Sequence, residues 1–183
     1  MKLLIASDLH GACPKAAFLA ERMADMRPDY CVLLGDILYH GPRNPLPEGY
    51  DPAATADCLN AFASRILAVN GNCDSDVDRM VLRFPLAPRF AWLLAGKTRI
   101  MAAHGHLAGL SSETAPDILS PGDVFLSGHT HVPEARCEKG VYIWNPGSLS
   151  LPKRDSPPSY ATFDGARFQV IGLDGAILME ATL

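Results

Sequence analysis

Residues 2–11 read KLLIASDLHG and residues 30–36 read YCVLLGD. Each is a short apolar run that stops at glycine, an acid or histidine. A run of four to six apolar residues is short for a helix and fits a buried strand. Between the two runs, Phe18, Leu19, Met23 and Met26 recur at helical spacing behind Pro14, which predicts a helix over residues 15–26. The alternation continues with a second helix over residues 53–64, a third strand over 66–70 ending in Gly71-Asn72, and a short helix over 75–83. The chain therefore opens βαβα, the pattern of an α/β protein.

Outward from this core the texture changes. Residues 38–52 hold Pro42, Pro45, Pro47 and Pro52, so they cannot be regular structure and are expected to form a stiff, ordered loop. Residues 90–94, 99–103, 123–127, 141–144, 159–163, 168–173 and 177–181 are short strand candidates, many of them bounded by Gly, Pro or Asp, with a helical turn at 116–119. A βαβα start followed by mostly β predicts an α/β fold of two face-to-face mixed β-sheets flanked by helices, in a single domain over residues 1–183.

Bulk properties narrow the function. The net charge is -4, so no strong nucleic-acid binding is expected. Cys13, Cys31, Cys58, Cys73 and Cys137 are odd in number and lack CxxC spacing, which argues against a disulfide framework or a thiolate zinc site and for the reducing cytoplasm. Asp8 and His10 end the first apolar run too early for a signal peptide, and no stretch has the length of a membrane helix.

Five of the six histidines fall in three clusters: Asp8-Leu9-His10, His104-Gly105-His106 and Gly128-His129-Thr130-His131. Each follows a predicted strand, and open α/β sheets bind ligands at the carboxyl ends of their strands. On an extended segment, residues i and i+2 face the same side, so Asp8 with His10 and His129 with His131 are expected to aim paired donors at one place. Singly these motifs are weak: Gly-Asp is an everyday turn and a DxH is usually a strand end. Five consecutive strand ends carrying Asp, Asn or His are not five coincidences.

The ordered set Asp8-x-His10, Gly35-Asp36, Gly71-Asn72-Cys73-Asp74, His104-Gly105 and Gly128-His129-Thr130-His131 resembles the calcineurin-like metallophosphoesterases, and within them the small YfcE-type bacterial phosphodiesterases. The segment His40-Gly41-Pro42-Arg43-Asn44 with Leu46-Pro47-Glu48-Gly49-Tyr50, and Asn145-Pro146-Gly147-Ser148, extend the likeness to nearly the whole chain. The resemblance implies the αββα metallophosphoesterase sandwich and two divalent metal ions. Asp8, His10, Asp36 and His131 would hold one; Asp36, Asn72, His104 and His129 would hold the other. It implies hydrolysis of a phosphodiester by a hydroxide bound between the metals, with Asp36 and His104 at the reacting centre. Manganese is the metal it suggests, and mixed imidazole and oxygen ligands also suit nickel, iron or zinc.

One position departs from the superfamily. Where many members have histidine after the Gly-Asn pair, this chain has Cys73. A thiol carries no positive charge near neutral pH, so modest turnover and good leaving groups are expected, with a small or nucleotide-like diester favoured over a dianionic monoester. Asn72 and Arg43 are candidate substrate contacts, Arg43 through bidentate phosphate binding. Asp74 is expected to cap the helix after it, and Lys153 and Arg154 to be surface charges. Rival readings are a phosphomonoesterase or nucleotidase, and a non-catalytic binding module of the same fold. The complete ligand set favours an enzyme, and the later strands permit a homo-oligomer.

Overall fold

A computed structural model describes residues 1–183. The strands are β1 (Leu3–Ala6), β2 (Tyr30–Leu33), β3 (Ile66–Val69), β4 (Leu86–Ala87), β5 (Phe90–Ala95), β6 (Thr98–Ala103), β7 (Val124–Leu126), β8 (Pro133–Glu138), β9 (Val141–Pro146), β10 (Ser159–Phe163), β11 (Arg167–Gly172) and β12 (Ile177–Thr182). The helices are α1 (Cys13–Met26), α2 (Pro52–Asn60), α3 (Asp78–Val81) and α4 (Ala115–Ile118). One sheet has seven strands in the order β12-β11-β10-β1-β2-β3-β4, and the other has five in the order β5-β6-β7-β9-β8. In the first, β1 through β4 run parallel and β10 joins β1 antiparallel.

The buried strands are apolar on both faces because both faces are covered. Leu3, Ile5, Val32 and Leu34 point into the space between the sheets, where they meet Ile100, Val124, Leu126 and Trp144. Leu4, Ala6, Cys31 and Leu33 point the other way, against Ala16, Leu19 and Met23 of α1 and Leu59 of α2. Met101, Phe125, Val141 and Ile143 cover the outer face of the five-stranded sheet beneath Ala115 of α4. The result is the expected αββα layering. Trp144 lies at its centre, stacked on Phe168 with ring centroids 4.5 Å apart. Trp92, on the edge strand β5, is 44% exposed and carries Arg99 over its ring.

Helix ends follow local chemistry. Asp51 caps α2 by accepting from the Ala54 amide at 2.9 Å, with Pro52 in the first turn. Helix α1 stops at Met26 because Arg27 turns left-handed ahead of Pro28. The proline-rich loop is irregular and stitched down: the Cys13 amide donates to Gly49 O at 3.1 Å and the Asp51 amide to Gly11 O at 2.8 Å.

Three expectations on elements are corrected. Strand β8 was not anticipated, since its sequence, PEARCE, has no apolar run. It is an edge strand that starts on a proline and bonds Arg136 to Glu134 and Glu138 on one face, which suits an edge. The two-residue β4 is too short to leave a pattern. Over residues 75–83 only Asp78–Val81 is helical.

Candidate metal centre

The loops that leave β1, β2, β3, β6 and β7 meet at one seam between the two sheets. They are tied across that seam by the Asp8 amide to Gly35 O (3.2 Å), the His10 amide to Asp36 O (2.9 Å) and the Gly128 amide to His104 O (3.0 Å). The His129 amide donates to Asp8 Oδ2 at 3.0 Å, across 121 residues of chain.

The pairs converge by a different route from the one expected. Asp8, His10, Asp36, His129 and His131 all have positive φ, from 50° to 68°. They are left-handed turn residues rather than the ends of extended strands. Such a conformation costs a non-glycine residue on the order of 1–3 kcal/mol and persists where surrounding contacts enforce it, commonly at functional sites. Nor do His129 and His131 aim at one point. His131 Nε2 lies 3.3 Å from Asp8 Oδ1 and 3.3 Å from His10 Nε2. The His129 ring instead packs on that of His104, at 5.0 Å.

The seven predicted ligands are thus assembled in one place. Donor atoms of Asp8, His10 and His131 lie mutually within 4.8 Å, as do those of Asp8, Asp36 and His104. His104 Nε2 is 3.5 Å from Asp36 Oδ1 and 3.1 Å from Asn72 Oδ1, and Asp36 Oδ2 is 3.8 Å from His10 Nε2. Cys73 is closer in than its sequence role suggested: its sulfur joins His10 and Asp36 in a third such group.

Backbone carbonyls orient three of the rings. His10 Nδ1 donates to Tyr39 O (2.8 Å), His104 Nδ1 to Leu34 O (2.6 Å) and His131 Nδ1 to Leu151 O. Pinning the proton on Nδ1 leaves Nε2 facing the centre as a lone pair, the arrangement of a metal-bound imidazole. Where each ring carries only that proton, His10 and His131 face each other with Nε2 lone pairs at 3.3 Å, beside Asp8 Oδ1, which is buried without a hydrogen-bond partner. A cluster made of acceptors needs a cation, and imidazole with carboxylate suits divalent metals.

The charges respond to this crowding. Burial opposes ionisation of Asp8 and Asp36, but neighbouring imidazoles outweigh it and hold both carboxyls below the usual range. Burial and the nearby His104 push His129 down to about 4. Burial works against a charge on His104 too, yet the Asp36 and Asp8 carboxylates raise it to about 9. Burial and the same carboxylates push the Cys73 thiol up to about 12, so it is neutral across the working range.

The raised His104 value yields a prediction. Without metal, the proton on His104 stabilises the fold fully below about pH 6.5, and that contribution is lost as pH rises through about 9. The metal-free protein should therefore lose thermal stability over that window, and metal binding at pH 7 should expel about one proton. Calorimetric titration of metal in buffers of different ionisation enthalpy checks this. A heat independent of the buffer would refute it.

One expectation about a neighbour is corrected. Asp74 does not cap the following helix. Its carboxylate accepts from the amides of Asp36 (2.8 Å), Ile37 (2.7 Å) and Gly71 (2.7 Å), so it pins the loop that carries Asp36. Lys153 and Arg154 are exposed, as expected, and with Arg43, Asn44, Asn72, Cys73, His129 and His131 they also line a cavity of about 830 Å³ over the centre. Sequence reading also gave no roles to the Asn145–Ser148 segment. Asn145 Nδ2 donates to Gly128 O at 2.9 Å, and Ser148 Oγ and Ser150 Oγ both donate to Asp8 O.

A strained donor cluster at the carboxyl edge of two stacked sheets, roofed by a polar cavity, describes a metallophosphoesterase. The family model of the calcineurin-like phosphoesterase superfamily domain matches residues 1–167, and the chain belongs to that superfamily. It is similar to the phosphodiesterase YfcE of Escherichia coli K12, with 43% identity over 100% of this chain and 98% of that one. The solved structure of YfcE, a phosphoesterase from E. coli, superposes with a TM-score of 0.91 at 39% identity, covering 100% of this chain and 99% of the other. A probable metallophosphoesterase of Bacillus subtilis, YsnB, is 29% identical over 88% of this chain and 82% of its own.

Proposed function

We infer that this chain hydrolyses small phosphodiesters at a pair of divalent ions held by Asp8, His10, Asp36, Asn72, His104, His129 and His131. The observation that carries the reading is the set of facing acceptors, with His10 and His131 Nε2 and the orphaned Asp8 Oδ1 gathered at one point. The YfcE likeness over the full chain supports the diester as substrate. When bound, a pair of divalent ions supplies a nucleophile from water at neutral pH and a sink for the charge that develops on the phosphoryl oxygens. Asp36 faces both ligand groups, with Oδ2 toward His10 and Oδ1 toward His104, and would help hold both ions. The Cys73 amide donates to Asp36 Oδ1 at 2.8 Å and steadies that carboxylate. Arg43 lines the cavity wall, from which it would meet substrate. Manganese is the expected metal, ahead of nickel, iron and zinc, and the cytoplasm the expected location.

Cys73 separates the diester reading from its monoester rival. Its neutral thiol, beside Asp36, adds no positive charge for a dianionic monoester. Cys73→His is therefore expected to raise turnover of p-nitrophenyl phosphate about tenfold, and that of bis(p-nitrophenyl) phosphate less. A variant that loads metal normally but shows no gain on the monoester would refute this. The main test strips the protein with a chelator, restores Mn, Ni, Zn or Mg separately, and follows bis(p-nitrophenyl) phosphate. Metal-dependent cleavage is the expected result. A folded, metal-loaded protein that cleaves nothing would instead favour the binding module.

A further inference from the structure

The cavity over the proposed metal centre has a cationic wall of three side chains, of which hydrolysis of a simple diester calls on Arg43 alone. Arg43 stands on the loop after β2, and Lys153 and Arg154 on the turn after β9. None of the three forms an ion pair. Of the acids around them outside the centre, Glu134 is taken by Arg136 at 2.5 Å, leaving Glu113 free on the rim. The chain as a whole carries a net charge of -4, so three unpartnered cations at one cavity run against the global balance. The lining also holds Asp36, Glu113 and Glu134, but Glu134 is paired and Asp36 belongs to the proposed metal centre, so the unpaired balance of the wall is positive and draws anions.

The backbone that carries Lys153 and Arg154 is tied to His131 of the proposed metal centre. The Lys153 amide donates to His131 O at 3.2 Å, and Leu151 O accepts from the His131 ring. Lys153 O in turn accepts from the Ser156 hydroxyl at 2.6 Å, closing a turn in which Arg154 and Asp155 are both left-handed. Two consecutive non-glycine residues in that region mark an enforced backbone. Only two of the 17 lining residues are hydrophobic, so the wall offers little to an aromatic or lipid group. A carboxylate is satisfied by a single arginine fork, whereas two arginines and a lysine from two loops suit a phosphate dianion.

We propose that Lys153, Arg154 and Arg43 form a subsite for a second phosphate, so that the chain takes small diesters bearing a further phosphate group. This rests on the hydrolytic reading of the same cavity. The test measures binding to the metal-loaded protein of thymidine 3′,5′-bisphosphate and thymidine 5′-monophosphate, which differ by one phosphate. The bisphosphate should bind about tenfold more tightly, the sum of a few solvent-exposed charge contacts. That advantage should vanish in the Lys153→Gln/Arg154→Gln double variant and in about 0.5 M salt, which screens exposed charges. Equal affinities in the wild type, or an advantage that survives the double variant, would overturn the subsite. Turnover of bis(p-nitrophenyl) phosphate by the wild type is read separately. Selective bisphosphate binding without any turnover would sink the hydrolytic reading and leave the subsite standing.

Discussion

Asp36→Asn is expected to lower turnover of bis(p-nitrophenyl) phosphate by on the order of a thousandfold or more, because a carboxylate proposed to hold both ions would support several kcal/mol of transition-state stabilisation. Asp36 is the carboxylate whose two oxygens face different ligand groups: Oδ1 looks to His104 at 3.5 Å and Oδ2 to His10 at 3.8 Å. An amide is the same size but turns one acceptor into an N–H donor. Whichever way it flips, that donor faces either a metal position or the Cys73 amide, which already donates to Oδ1. The backbone anchors of the loop are untouched, since Asp74 grips the Asp36 amide rather than its side chain. The variant should therefore fold, and metal analysis should find the stoichiometry reduced. A variant that retained full metal content and full turnover would show that Asp36 does not hold both ions.

The second large effect needs no change of charge. Gly71→Ala places a methyl 2.1 Å from Asp36 Oδ1 and 2.4 Å from the Asp36 amide nitrogen. Backbone lies on one side of that methyl and the key carboxylate on the other, so neither can yield cheaply. Overpacking of this kind costs about 1–3 kcal/mol, or roughly 3–10 °C in melting temperature for a chain of this size. A displacement of the carboxylate by about 1 Å should lower turnover by about a hundredfold. Gly96→Ala is the control. Its added methyl meets nothing within 4 Å, and only its left-handed φ of 64° is penalised, at about 1–2 kcal/mol. The control should lose some stability and keep its turnover. Equal turnover in the two variants would show that the close packing of Gly71 on Asp36 is not what positions the site.

Much of this was legible before any tertiary structure. Runs such as Leu3–Ala6 and Tyr30–Leu33 must be strands because they are short and apolar throughout, which only a doubly covered sheet accommodates. Chain direction then puts Asp8, Asp36 and Asn72 after the ends of three parallel strands of one sheet and His104 and His129 after two parallel strands of the other, so each set shares an edge of its sheet. Strand β8 escaped because its polar stripe of Glu134, Arg136 and Glu138 satisfies itself at an edge and leaves no apolar period.

What the sequence by itself determined was the layered class and the strand ends that bear chemistry, because apolar period and residue order are local properties; the proposed ligand set came with the resemblance that the order of the motifs carries. Only the tertiary structure decided how those residues converge. Their left-handed turns are enforced by contacts such as His129 to Asp8, 121 residues apart, and no spacing rule encodes a contact of that range. The grouping of His131 with Asp8 and His10, and of His129 with His104, follows the split that the family resemblance implied, and the meeting of the two sheets along that seam is what produces it. The grip of Asp74 on the Asp36 loop and the cationic wall of Arg43, Lys153 and Arg154 have the same origin. Each depends on which loops the stacking of two sheets brings face to face.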